Sequence, residues 1–122
     1  MQVTILGATG RIGSMAKAEA LARGHELILL SRRPPTATSS QHTSTIIGDV
    51  ADSDALRRAV TGSDAVIVAL GPRTNTPDDE LALELGMRNL VAAMAAQGVT
   101  RLIALSGAAV DIPGDAKPVI DR

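Results

Sequence analysis

Gly7, Gly10 and Gly13 stand directly behind the apolar run Val3-Thr4-Ile5-Leu6 and ahead of a helix-patterned stretch that closes at Gly24. A chain that begins this way has few options. The apolar run reads as a buried strand. The stretch from about Ile12 to Arg23 reads as a helix ended by a glycine cap. Between them, Gly7 lets the chain leave the strand in a tight turn. Gly10 removes a side chain from where backbone can approach a ligand, and Gly13 lets the helix pack closely. The amides at the helix N-terminus then face outward as a cradle for phosphate anions. A plain glycine-rich turn needs only the glycines; the strand before and the helix after favour the cradle. No Gly-Lys-Ser/Thr follows, which sets aside a kinase-type phosphate loop.

The rest of the chain repeats the alternation. Leu27-Ile28-Leu29-Leu30 is a second strand, apolar throughout, as a strand covered on both faces should be. A Pro/Ser/Thr-rich segment, Pro34 to Thr43, follows, and Ile46-Ile47 begins or completes a third strand. Asp52 or Ser53 caps a helix that reaches about Val60 and ends at Gly62. Ala65 to Leu70 is a fourth strand. Thr76-Pro77-Asp78-Asp79-Glu80 is a strong helix start, with a cap, a proline at the first helical position and acids at the positive end of the dipole. Leu83, Met87, Leu90, Val91 and Met94 are expected on one face of that helix, Gly98 ends it, and Leu102 to Leu105 is a fifth strand. Within the helix, Gly86 costs about 1 kcal/mol against alanine and is expected to permit close packing on the sheet. Asn89 either bonds back to the sheet or faces solvent.

Strands alternating with helices imply an α/β fold, a three-layer doubly wound parallel sheet that stops after strand five. The crossover between strands two and three is short, so irregular chain or one helical turn is expected there. The tail from Asp111 to Arg122 lacks a period and reads as a loop or a frayed end. The 122 residues suit one domain.

Composition removes several function classes. The formal net charge is -1, so there is no broad basic field for nucleic acid. The longest uncharged helical stretch, between Arg88 and Arg101, falls short of the roughly 20 residues a membrane span needs. Cysteine is absent, which excludes disulfides, thiolate metal sites and a cysteine nucleophile. Phe, Trp and Tyr are absent too, which excludes tyrosine acid–base chemistry and aromatic stacking on bases. Neither His25 nor His42 has a partner at metal-ligand spacing. A strand pattern begins at Val3 with no basic and apolar leader before it, so a cytoplasmic location is expected.

The nucleotide is read from the ends of the later strands. In folds of this kind an acid closing strand two bonds the 2′-hydroxyl of NAD and repels a 2′-phosphate. Here Ser31-Arg32-Arg33 occupies that place, and no acid is present. A guanidinium can hold phosphate through two parallel charge-assisted hydrogen bonds, and Ser31 can add a hydroxyl donor. NADP is therefore expected over NAD, the alternative being a pair of solvated surface arginines. Asp49, in Gly48-Asp49-Val50, either accepts from the adenine amino group or caps the next turn. In Leu70-Gly71-Pro72-Arg73, Gly71 permits a ribose to lie against backbone, while Arg73 meets pyrophosphate, substrate or solvent.

These motifs, with Asp64 to Gly71 and Arg88-Asn89-Leu90-Val91-Ala92-Ala93-Met94, resemble the atypical short-chain dehydrogenase/reductase families. These have an NAD(P)-binding Rossmann fold, and the nearest likeness is to NADPH-dependent flavin reductase, or biliverdin-IXβ reductase-like proteins. The resemblance implies nucleotide contacts at Gly7, Thr9, Gly10, Arg11, Ile12, Gly13, Arg32, Asp49, Val50, Leu70, Gly71 and Arg73. It implies that Ser106, after strand five, sits beside the nicotinamide as the catalytic group, where a turn-forming serine before Gly107 is the other reading. Such reductases normally continue past a fifth strand to build the substrate pocket. The Tyr-x-x-x-Lys pair of ordinary short-chain dehydrogenases is absent. The implied function is an NAD(P)H-dependent reductase in its full-length form, passing hydride to a flavin, quinone-like or other conjugated small-molecule acceptor. Bound cofactor supplies the hydride, and the protein places it. A catalytically silent NADP-binding redox sensor or regulatory module is the alternative. An unprotected edge at strand five invites pairing into a homodimer.

Overall fold

The first apolar run forms β1 (Gln2–Leu6), the centre of a parallel sheet in a computed structural model that describes residues 1–34, 41–70 and 76–105. The chain continues through α1 (Arg11–Ala22), β2 (Glu26–Ser31), β3 (Thr43–Ile47), α2 (Ser53–Val60), β4 (Ala65–Val68), α3 (Pro77–Gln97) and β5 (Leu102–Ala104). The sheet order is β3-β2-β1-β4-β5, and every pairing is parallel. This is the expected doubly wound sheet. Ile46-Ile47 completes β3 rather than beginning it. The crossover at residues 35–40 lies outside the described residues.

Side chains alternate across each strand and so feed two separate cores. Val3, Ile5, Leu27 and Leu29 pack with Ala8 and Ala20 under α1. Leu6, Leu30, Val66 and Val68 pack with α2 and α3 on the other face, around Leu56, Val60, Leu90 and Met94. Thr4 is polar and yet fully buried in β1. Its hydroxyl donates to the carbonyl of Ala59 at 2.6 Å and lies 2.5 Å from Ser63 Oγ. It thus satisfies a carbonyl in the last turn of α2, where the helix supplies no partner of its own.

The helix ends follow their local chemistry. Asp52 caps α2 by accepting from the amides of Asp54 and Ala55. Thr76 caps α3, Pro77 opens it, and Gly98 closes it at φ +71°. Val91 departs from expectation, being 54% exposed, while Gly86, Leu90, Ala93 and Met94 form the buried face. At roughly 100° per residue, Val91 lies a quarter-turn beyond the stripe centred on Leu90. Gly86 does permit close approach, but to the loop between β3 and α2: an added Cβ would stand 2.7 Å from Val50 Cβ. Beyond β4 the cover thins. Leu102, Ile103 and Leu105 are all exposed.

Candidate functional site

The strand order reverses between β1 and β4, since β1 connects outward to β2 and β4 connects outward to β5. The connecting segments diverge at that point and leave a crevice at the carboxyl ends of the strands. A cleft of about 610 Å³ opens there.

Its floor is the glycine turn. Gly7 adopts φ +87°, a left-handed conformation that side chains disfavour, and an added Cβ would meet Ala69 O at 2.7 Å. Gly13 is buried against the same turn: an added Cβ would lie 2.6 Å from the carbonyl carbon of Gly7. Its close contact is therefore helix against loop, not helix against sheet. Gly10 differs, because its nearest neighbour to an added Cβ is Gly7 O at 3.5 Å. Among the described residues nothing crowds that position, so the backbone there is open to approach from outside.

The start of α1 is unlike the other helix starts. Gly10 is its N-cap, no side chain caps it, and its first turn has no acid. Gly10 N–H donates to Gly7 O at 3.2 Å, and Ser14 N–H returns to Gly10 O. The amides of Arg11, Ile12 and Gly13 donate to no acceptor among the described residues. By contrast α3 has Thr76 as cap and three acids, Asp78, Asp79 and Glu80, in its first turn. An uncapped, acid-free helix start with an open glycine beside it is matched to an external anion.

The side wall comes from the ends of β2 and β3. Ser31, Arg32, Arg33, Asp49 and Val50 line the cleft together with Leu70 from the end of β4. Arg32 and Arg33 are exposed, and their guanidinium groups form no ion pair among the described residues. Ser31 is already engaged: its hydroxyl donates to Arg33 O at 2.8 Å and accepts from Arg33 N at 3.3 Å. It shapes the arginine turn. Asp49 Oδ1 accepts from Val50 N at 2.6 Å, and its carbonyl accepts from Asp52 N at 2.9 Å. The cap of α2 itself is Asp52. Asn89 reaches from α3 and donates to Val50 O at 3.1 Å, so it bonds to the loop beyond the sheet.

Of the residues expected from sequence, Gly7, Thr9, Ser31, Arg32, Arg33, Asp49, Val50 and Leu70 line this one cleft. Gly10, Arg11 and Ile12 are exposed and Gly13 is buried; these four follow the lining residues Gly7 to Thr9 in the chain but do not line the cleft themselves. Gly71, Arg73 and Ser106 lie outside the described residues. Lys17 and Thr45 also line the cleft and were missed. Thr45 belongs to an edge strand with little apolar signal, and Lys17 is a lone cation in a helix, a pattern that by itself reads as solvent-facing.

A family model described as NAD(P)H-binding matches residues 7–121, nearly the whole chain. The chain belongs to this NAD(P)H-binding family. Its sheet and glycine turn are those of a Rossmann-fold, short-chain dehydrogenase/reductase-like member. A Streptomyces griseus protein named (4-alkanoyl-5-oxo-2,5-dihydrofuran-3-yl)methyl phosphate reductase is 36% identical over 121 residues, covering 98% of this chain and 39% of that one. The structure of a mutated uronate dehydrogenase superposes with a TM-score of 0.79 at 28% identity, covering 89% of this chain and 40% of the other. A short-chain dehydrogenase/reductase superfamily protein from Agrobacterium tumefaciens with bound NAD superposes with a TM-score of 0.74 at 25% identity, covering 90% of this chain and 34% of the other. The chain thus spans less than half the length of these relatives.

The residues present fit a dinucleotide. Free amides at the start of α1 suit its pyrophosphate, Gly10 leaves that approach open, and the β2 and β3 ends offer a wall for the adenosine half.

Proposed function

We propose that the chain is the cofactor-binding part of an NADPH-dependent oxidoreductase that passes hydride to a conjugated small-molecule acceptor such as a flavin or a quinone. The observation that carries the NADPH preference is the end of β2. Arg32 and Arg33 line the cleft wall with no ion pair among the described residues, and Ser31 fixes the turn that presents them. An acid at this place would repel a 2′-phosphate, whereas a guanidinium takes it bidentately. The amides of Arg11 to Gly13 would hold the pyrophosphate, and Asp49 and Val50 would flank the adenine. Bound NADPH supplies the hydride. A conjugated acceptor needs little acid–base help from protein. The Streptomyces relative, by its name a reductase of an unsaturated oxo-dihydrofuran, supports reduction of a conjugated system. The likeness to flavin reductases favours flavin as the acceptor to try first. Ser106 is the group proposed to orient the nicotinamide or relay the solvent proton.

The test has two arms. In thermal unfolding, NADPH should raise Tm more than NADH does, and Arg32→Asp should erase or reverse that order. Equal shifts for both cofactors in the wild type remove the 2′-phosphate argument. Steady oxidation of NADPH on adding free flavin supports the reductase, with Ser106→Ala slower in turnover at unchanged cofactor affinity. Binding without turnover across flavin and quinone acceptors points instead to a redox-sensing module.

A further inference from the structure

Gly13, Lys17 and Ala20 share one face of helix α1, at a spacing of four and three residues. Gly13 and Ala20 are buried there, and Lys17 is half-buried between them. An aliphatic residue would suit this stripe. A lysine can occupy it only by laying its methylenes along apolar neighbours and carrying its ammonium out to a polar space. That space is the cleft, whose wall Lys17 shares with Leu29, Ser31, Arg32 and Arg33. No carboxylate pairs with Lys17 among the described residues, although Arg57 and Arg88 on helices and Arg23 at the end of α1 each find a glutamate or aspartate. Four residues beyond Gly13, it stands about 6 Å further along the helix axis. It therefore lies away from the N-terminal amides that face the pyrophosphate, on the side of α1 that packs against β2.

We infer that Lys17 is a specificity-determining residue, a third cation that joins Arg32 and Arg33 in binding the 2′-phosphate of the cofactor's adenosine. The inference rests on the NADPH reading above and adds a residue from a different element. The two arginines approach from an exposed turn, while Lys17 comes from the half-buried face of α1. A phosphate between them would be gripped from two directions, and an ammonium contributes three donors whose charge does not require a fixed plane.

The experiment is calorimetric titration of the full 122-residue chain with adenosine 2′,5′-bisphosphate and with adenosine 5′-monophosphate. The variants are Lys17→Met, Lys17→Arg and Arg32→Asp. Methionine keeps the apolar stem and drops the charge, so folding is preserved, and matched thermal melts confirm it. Lys17→Met is expected to weaken the bisphosphate about tenfold, equivalent to about 1.4 kcal/mol. It should leave the monophosphate within about twofold, and Lys17→Arg should restore most of the difference. Equal loss for both nucleotides, or no loss for either, overturns the inference. If Arg32→Asp removes the preference for the bisphosphate while Lys17→Met keeps it, Lys17 has no such role and the NADPH reading stands. If the wild type itself does not distinguish the two nucleotides, both are wrong.

Discussion

At the scale of single residues, Gly13 shows how a fold requirement and a binding requirement meet in one position. Its missing Cβ lets α1 begin against the carbonyl of Gly7, and this sets where the free amides of the first turn point. Gly13→Ala would press a methyl group into backbone that cannot swing aside as a side chain can. Overpacking of this kind costs about 1–3 kcal/mol. The expected outcome is a Tm several degrees lower, with cofactor affinity falling for NADPH and NADH alike, read by thermal unfolding and titration of the same preparation. A loss confined to one cofactor would place Gly13 near the 2′-phosphate instead. Much at this scale could be read in the sequence, because the three glycines and Ser31-Arg32-Arg33 each carry a distinct chemical signature. The internal hydrogen bonds of Ser31 could not be read, since a hydroxyl near two arginines suits a phosphate and an ST-turn equally. Lys17 was hidden for a different reason. A lone cation in a helix reads as solvent-facing until the sheet beneath shows which stripe it occupies.

At the scale of elements, α3 does more than cover the sheet. Gly86 and Asn89, three residues apart and so on one face, both meet Val50: one by a close backbone approach, the other by a hydrogen bond to its carbonyl. The helix thereby holds the loop whose other side lines the cleft at Asp49 and Val50. Asn89→Ala removes the donor to a half-buried carbonyl, which costs about 1 kcal/mol. It is expected to lower Tm modestly and to weaken NADPH and NADH by about the same factor, because the loop it holds would flank the adenine, which both cofactors share. Gly86→Leu should be the more damaging change, as its side chain has Val50 in its path. Unchanged melting of Gly86→Leu would contradict the close approach. The start and end of α3 were legible because Thr76, Pro77, the three acids and Gly98 each act locally. Its buried face was only partly legible. Apolar spacing picked out Val91, which is exposed, and passed over Ala93, which is buried. Small residues give a weak hydrophobic signal even where a helix packs most closely. β3 was half-seen for the same kind of reason: Thr43-Ser44-Thr45 is polar and half-exposed at the sheet edge, so only Ile46-Ile47 stood out.

At the scale of the whole molecule, the charge is nearly balanced, with 12 basic against 13 acidic side chains. A dinucleotide therefore gains no long-range attraction from the net charge. The described lining of the cleft is cationic all the same, with Lys17, Arg32 and Arg33 against the single acid Asp49. Elsewhere, acids sit where they serve the fold, as in the Asp52 cap of α2 and the first turn of α3. The discrimination expected between NADPH and NADH is then a short-range effect of partly exposed charges, and salt should screen it. Ligand at 100 times its Kd stabilises a native state by about 2.7 kcal/mol, which for a domain of this size moves Tm by several degrees. Thermal unfolding with each cofactor, at about 0.05 M and about 0.5 M salt, separates the two contributions, since the Debye length contracts about threefold over that range. The NADPH shift should fall with salt while the NADH shift changes less, because on the proposed reading NADH would leave the arginine turn and Lys17 unused and rely on backbone amides. If both shifts fall in parallel, the salt-sensitive contact is the shared pyrophosphate, and the cations at the end of β2 play no part in choosing the cofactor.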